Sequence, residues 1–416
     1  MTRAAGTIIR DIQHYVSRYS RYHQSILTIE QFTHFGETAS RNESYHFLRH
    51  EVPIRLAHIM QEINHLPKNL LEMPSIRLVN SWYVQSFVDL LKFEQEDDTS
   101  DETLERFTNT IHQIKRRHDT TVETMATGII ELKEAEGEGA IIPAVQYFLD
   151  RFYMNRIGIR LLMTNHLALF EEDLTKSSRS RFIGVFEPDC HAKTVIQDAA
   201  ENAALLCDQF YFNSPGVTIR EHNTINTGED IIIAYVPSHF YFMLFELMKN
   251  AMRATVETHH NEDDLPNIEI DIVKGLEDMT IRISDCGGGI PRSQMEKLFS
   301  YHYSTAPQPD QGIAIAPLAG YGYGLPLSRL YAKYFGGDIQ INSMEGYGTS
   351  AHVYLKALSK EAHEVIPLYN SFVAKSYREE QNSTSAVRDW SSDSFYDGHV
   401  HAYAKPVHIK RQRGKK

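Results

Sequence analysis

The period of the hydrophobic residues changes once along this chain, near residue 176, and that change limits its folds more than any single motif. From about residue 25 to 175, apolar residues recur at three- and four-residue steps in IRLAHIMQEINHL, SWYVQSFVDLLKF, RFTNTIHQIKRRH and YFLDRFYMNRIGIRLLMTNHLALF. This is the spacing of one helix face. Pro53, Pro67, Pro74 and Pro143 punctuate the stretch, and EQEDDTSDE reads as an exposed acidic connection. Four long amphipathic helices joined in this way predict a bundle. Beyond residue 176 the period falls to two: Ile268, Ile270 and Ile272 alternate in NIEIDIVKG, and Met279, Ile281 and Ile283 in MTIRISD. The turn in KGLED makes these neighbouring antiparallel strands, and EGYG joins DIQINSM to SAHVYLKAL as a second hairpin. Helices and strands mix without steady βαβ alternation, which predicts an α+β sandwich with helices on one face of a sheet. The expected organisation is a helical bundle over 1–175, a sandwich over 176–365 and an irregular tail over 366–416.

A chain of 416 residues has room for two or three cores. Its formal charge of −12 argues against general nucleic-acid binding. No apolar run approaches the roughly 20 residues that cross a bilayer, so no membrane insertion is expected. Cys190, Cys207 and Cys286 are scattered without metal-like spacing, which fits a reducing compartment. The N-terminus sets Arg3, Arg10, Arg18 and Arg21 against Asp11; a mitochondrial presequence and an ordinary basic helix fit it equally. The C-terminal KPVHIKRQRGKK is basic without an acid.

Chemistry concentrates in four segments. In FELMKNAMRA, Glu246, Lys249, Asn250 and Arg253 stand at i, i+3, i+4 and i+7 and share one helix face. Phe240, Met243, Leu244, Leu247, Met248 and Ala251 form a core-facing stripe, and Ser238 is the expected N-cap. Alone, this reads as an amphipathic surface helix with a solvated polar side. In SDCGGGIP, Asp285 ends a strand; its carboxylate suits an exocyclic amine such as that of adenine, although a plain glycine-rich turn reads the same way. In LAGYGYGLPLSRLYAKYFGGD, Gly320, Gly322 and Gly324 lead into a helix with Pro326 in its first turn and Gly336 and Gly337 as its stop. Such a loop and helix dipole can hold phosphates. The preceding STAPQPDQGIAIAPLAG reads as a lid and not a strand, against a dinucleotide fold. In EGYGTSAHVYL, Thr349 opens a strand.

Taken in order, the four segments resemble the nucleotide site of the GHKL superfamily over about residues 235–356. Over most of the chain, SWYVQS, YFLDRFYMNRIGIRLL, YVPSHFYFMLFELMKNAMRATVE, STAP, PLAGYGYGLPLSRLYAKYFGGD, SMEGYGT and the late DW are similar to the mitochondrial pyruvate dehydrogenase kinases. The resemblance implies an ATP- and Mg²⁺-dependent kinase of the mitochondrial matrix that phosphorylates serine on a dehydrogenase E1α subunit. It implies Glu246 as general base and Asn250 as the Mg²⁺ ligand, with Lys249 and Arg253 orienting phosphates or balancing Glu246. Leu247, Met248, Ala251 and Met252 complete that nucleotide-contacting helix. Asp285 would hold the adenine, Gly287 and Gly289 would shape its pocket, and Thr349 would back it. Ser304 and Thr305 fall in the lid, and Gly320, Tyr321, Gly322, Tyr323, Gly324 and Leu325 would embrace the phosphates. The bundle would carry an effector site for pyruvate-like acids at Tyr83, Ser86, His118 and Arg156. Docking to the E2 lipoyl domain and a homodimer through the C-terminal domain are also implied, with Asp389 and Trp390 crossing to the partner.

One position departs from the pattern: the family's histidine four residues before the general base is Phe242 here, and a phenyl ring cannot polarise Glu246. A kinase of the branched-chain dehydrogenase, a catalytically weak ATP-binding scaffold and a histidine-kinase-like enzyme acting through His118 are the alternatives. His239 is expected to be structural.

Overall fold

The computed structural model describes residues 11–137, 143–170, 181–262, 264–301, 303, 322–370 and 373. The first half is helical: α1 (Ile12–Tyr19), α2 (Ile29–Thr38), α3 (Arg41–Ile63), α4 (Lys68–Glu72), α5 (Pro74–Leu91), α6 (Asp101–Arg117), α7 (Thr121–Glu136) and α8 (Pro143–Phe170). Thr28 with Gln31 and Ser40 with Glu43 form capping boxes, and Ser100 accepts from the Thr103 N–H, so three helix starts are set by local side chains. Pro74 and Pro143 begin helices as expected of residues that lack an N–H. Pro53 does not punctuate: it lies inside α3. Tertiary burial of that helix, with Leu56 and Ile59 in the core, outweighs a proline cost of about 3 kcal/mol. The bundle also contains α7, a long helix the periodicity had not singled out; its Gly128 lets it close onto Ile76 of α5, where a Cβ would collide.

The second half is a sandwich. A five-stranded sheet has the order β2-β4-β5-β7-β6, from β2 (Val217–Asn223), β4 (Ile268–Lys274), β5 (Asp278–Ser284), β6 (Asp338–Met344) and β7 (Gly348–Lys356). Only β2–β4 is parallel; Ile272 faces Ile281 and Ile281 faces Val353 across antiparallel ladders. Both expected hairpins, β4–β5 and β6–β7, are present. β1 (Glu187–His191) and β3 (Ile232–Tyr235) form a separate pair. Alternation buries Ile268, Ile270, Ile272, Met279, Ile281 and Ile283 beneath α9 (Ala192–Tyr211), α10 (Pro237–Thr258) and α12 (Gly324–Tyr334), and leaves Arg220, Arg282 and His352 on the other face. A short α11 (Arg292–Met295) lies between β5 and α12. The α+β class is as expected.

The halves are bolted together by charge. Arg55 of α3 is wholly buried; its Nε donates to Glu51 at 2.8 Å, and its two terminal nitrogens donate to Glu364 at 2.9 and 2.8 Å. Tyr334, the last residue of α12, donates its hydroxyl to the same Glu364 carboxylate. Residues 367–369 continue onto the bundle, where Pro367 and Leu368 accept from Gln24 and Arg151 and the Tyr369 N–H donates to His58. Glu364→Ala would remove one of the two carboxylates that balance the buried Arg55 cation, leaving Glu51 and the Ser25 carbonyl, and should cost about 3–5 kcal/mol of unfolding free energy. Denaturant titration measures it, and a loss under 1 kcal/mol would show the pair to be dispensable.

Candidate active site

Pro237 at the first helical position starts α10 behind Val236, and Ser238 lies inside the helix instead of capping it. Proline's preset φ does the work assigned to the serine. From there, α10 turns Phe240, Met243, Leu244, Met248 and Met252 fully into the core. Met248, as expected of the core-facing stripe, and Met252 lie on the apolar side of the helix and are not among the residues that line the cleft. Glu246, Leu247, Lys249, Asn250, Ala251 and Arg253 line the cleft, a cavity of about 590 Å³ closed on other sides by Asp285, Gly287, Gly289, Gly322, Tyr323, Gly324, Leu325 and Thr349. Ser304, Thr305, Gly320 and Tyr321 lie outside the described residues.

At one end stands Asp285. Its Oδ1 accepts from the Gly287 N–H at 2.9 Å and the Thr349 N–H at 3.1 Å. Among the described residues nothing bonds Oδ2, which leaves an acceptor for a ligand amine. Burial pushes this carboxyl above the usual range, against the pull of those two N–H groups. The Thr349 hydroxyl pairs with Ser343 at 2.9 Å, and Ser343 in turn accepts from the Ile290 N–H at 2.7 Å, so three strand ends are tied around the carboxylate. The glycines serve the protein first. A Cβ on Gly287 would strike Ala254 of α10, and one on Gly289, at φ +71°, would strike the Met344 carbonyl.

At the other end, the Lys249 ammonium lies 2.6 Å from Glu246 Oε1. Glu246 Oε2 rests where a Cβ on Gly324 would stand, so the last loop glycine is required by the carboxylate. Asn250 is exposed to the cleft with no partner among the described residues. Arg253 is drawn aside to Glu257 at 3.0 Å, and Glu257 also accepts from the Tyr211 hydroxyl at 2.7 Å. No trio of His, Cys, Asp and Glu among the described residues is arranged to hold a metal. The amide oxygen open to the cleft is an oxygen donor of the kind that Mg²⁺ takes beside substrate phosphates and waters. Phe242 lines the cleft with its ring 5.1 Å from that of Tyr331. His239 also packs on Tyr331, at 4.6 Å; burial lowers its pKa to about 3, so it is a neutral, structural ring. Sequence reasoning missed Tyr303 and Gln294, which line the cleft joined by a 2.9 Å hydrogen bond; neither sits in a periodic or glycine-marked stretch that would have signalled it.

A second polar cluster lies inside the bundle. His118 Nε2 meets Ser86 Oγ at 2.9 Å, the Tyr83 ring packs edge-on at 4.5 Å, and Arg156 donates to the His118 carbonyl at 2.9 Å. Burial and the neighbouring Arg156, Arg117 and Arg160 lower the His118 pKa to about 3. Only 4% exposed, His118 is shielded from a phosphoryl donor. Arg156 has no carboxylate partner among the described residues, and its Nε and the His118 Nδ1 are buried without hydrogen bonds.

The chain matches two family models: "Mitochondrial branched-chain alpha-ketoacid dehydrogenase kinase" over residues 26–187 and "Histidine kinase-, DNA gyrase B-, and HSP90-like ATPase" over 235–359. It is 48% identical to the mitochondrial pyruvate dehydrogenase (acetyl-transferring) kinase of Ascaris suum, over 94% of this chain and 96% of that one. It is also 48% identical to the Drosophila melanogaster protein of the same name, over 94% and 95%, and 46% identical to isozyme 1 of Homo sapiens, over 92% and 87%.

Gly324→Ala should leave the melting temperature nearly unchanged, because only the tip of a side chain must give way. With Glu246 as the general base that the resemblance implies, it should cut turnover about tenfold or more, since such a base is worth about 10²–10⁴-fold. As pH falls, Asp285 gains its proton earlier than an ordinary aspartate and ceases to be a pure acceptor. With Asp285 as the adenine-binding group that the resemblance implies, nucleotide affinity should weaken on acidification while pH is still above 3.8, and Asp285→Asn should bind only weakly at every pH in a calorimetric titration.

Proposed function

Because the chain belongs to the family of mitochondrial pyruvate dehydrogenase kinases, we propose that it is an ATP-dependent protein serine kinase that phosphorylates, and thereby inactivates, the mitochondrial pyruvate dehydrogenase complex. The observation that carries the reading is the convergence of Glu246, Asn250 and Asp285, far apart in sequence, on one cavity. We assign the serine to the E1α subunit and the compartment to the matrix. Asp285 would accept the adenine amine through Oδ2, with Thr349 and Gly287 holding the carboxylate still. Residues 322–325 would present backbone N–H groups and the positive end of α12 to the phosphates. Mg²⁺, held by Asn250, would neutralise charge on the triphosphate. Glu246 would take the proton of the incoming serine hydroxyl, oriented by the Lys249 ammonium and walled by Gly324 and Phe242.

The same reading extends to partners. The polar outer face of the sheet, where Asp271 bridges Arg220 and Arg282, would form the homodimer contact, and the bundle would dock the E2 lipoyl domain. The cluster of Tyr83, Ser86, His118 and Arg156 would take a small carboxylic acid: a buried guanidinium with no carboxylate partner among the described residues is suited to one. The proposed crossing of Asp389 and Trp390 to the partner subunit falls outside the described residues.

A branched-chain preference has one observation in its favour, the printed name of the model matched at residues 26–187. Full-length similarity favours the pyruvate complex. Incubation with Mg-ATP and each purified complex, followed by phosphosite mapping, decides between them. Phosphoserine on pyruvate dehydrogenase E1α is expected; none on either complex would overturn the kinase reading in favour of a scaffold. Phe242→His should raise turnover, since an imidazole would add polarisation that the phenyl ring lacks; an unchanged rate would show Lys249 to be sufficient.

A further inference from the structure

We infer that Asp150 and Tyr153, two residues of the bundle, are positioning residues for the triphosphate end of the nucleotide: they fix where the N-terminus of α12 stands against Glu246 and Asn250. The inference rests on the reading of residues 322–325 as the phosphate contact.

Tyr323 immediately precedes α12, and no side chain caps that helix. Its position is set by ring packing. Tyr323 is buried, with its ring 5.1 Å from Tyr301 and edge-on at 5.9 Å to Tyr153, while Tyr153 and Tyr301 lie 5.5 Å apart. Tyr301 is held in turn. Its hydroxyl donates to Asp150 Oδ1 at 2.9 Å, its N–H donates to Gln146 Oε1 at 3.1 Å, and Gln146 Nε2 donates to the Phe299 carbonyl at 3.1 Å. Gln146, Asp150 and Tyr153 stand at i, i+4 and i+7 on α8, so one face of a bundle helix grips the chain on both sides of the cleft's mouth. The far end of α12 is held against the same helix: Gly158 of α8 has no Cβ to obstruct Arg55 or the Tyr334 hydroxyl. α12 therefore lies along α8 with an anchor at each end. The adenine end, built by Asp285 and Thr349 on the sheet, shares none of these groups.

That separation supplies the test. In calorimetric titrations of the full-length chain, Tyr153→Ala and Asp150→Ala should weaken Mg-ATP binding about tenfold, the order of one aromatic pair or one charged hydrogen bond. Adenosine binding should stay within about twofold of wild type, since a ligand without phosphates does not meet α12. Tyr153→Phe, which keeps the ring and loses only the hydroxyl's contact with Tyr323, should cost far less than Tyr153→Ala, and Asp150→Asn, which keeps an acceptor oxygen, should retain ATP affinity. Tyr301→Phe removes one hydroxyl and serves if the alanine variants fail to fold; it should weaken ATP about threefold while sparing adenosine. Unchanged ATP affinity in Tyr153→Ala or Tyr301→Phe would overturn the inference, and so would parallel loss of ATP and adenosine, which marks a purely structural role. Asp285→Asn separates the underlying reading: it should lose both ligands, and if it keeps both, the site reading itself fails.

Discussion

A guanidinium cannot shed its charge, so Arg55, wholly buried, obliges the chain to bring acceptors to it. Glu51 arrives from the same helix, the Ser25 carbonyl from the segment before α2, and Glu364 from beyond the last strand, with Tyr334 sharing that carboxylate. Leu27 and Glu364 add a reciprocal pair of hydrogen bonds, from the Leu27 N–H to the Glu364 carboxylate and from the Glu364 N–H to the Leu27 carbonyl. Such a cluster contributes little net stability, because desolvating each ion offsets most of their attraction. Its effect is on placement. Four segments distant in sequence can satisfy that cation in one arrangement, and the arrangement lays α12 along α8.

Everything at the cleft follows from where α12 lies. Its N-terminus faces the polar side of α10, so the gap between the two helices collects a carboxylate, an ammonium and an amide on one wall and the start of α12 on the other. The opposite end of the cavity is sheet, with Asp285 pinned by two backbone N–H groups. A nucleotide spanning the cleft would meet a rigid, hydrogen-bonded end for its base and an end set by helix packing for its phosphates. The second is the end that α8 of the bundle touches.

The cluster around His118 meets that same helix through Arg156. Arg156 stands three residues after Tyr153 on α8, and Gly158 two residues further on, so the buried guanidinium shares its helix with both anchors of α12. An acid bound beside Arg156 would act on a helix already in contact with the nucleotide machinery.

The sequence alone determined the two kinds of unit, their order and most of the chemistry. Period-two isoleucines specified both hairpins, and i, i+3, i+4, i+7 spacing put Glu246, Lys249, Asn250 and Arg253 on one face, because these patterns follow from backbone geometry within a single element. Where local rules compete, sequence misled: Pro53 continues a helix that packing stabilises, and Pro237 starts the helix expected of Ser238. Only the tertiary structure decided that Gly324 makes room for Glu246, that Phe242 leans on Tyr331, and that the tyrosines at 153, 301 and 323 meet. Those contacts join residues far apart in the chain. No period encodes them; they exist because burying Arg55 and its carboxylates leaves one way to lay a helix of the sandwich against a helix of the bundle.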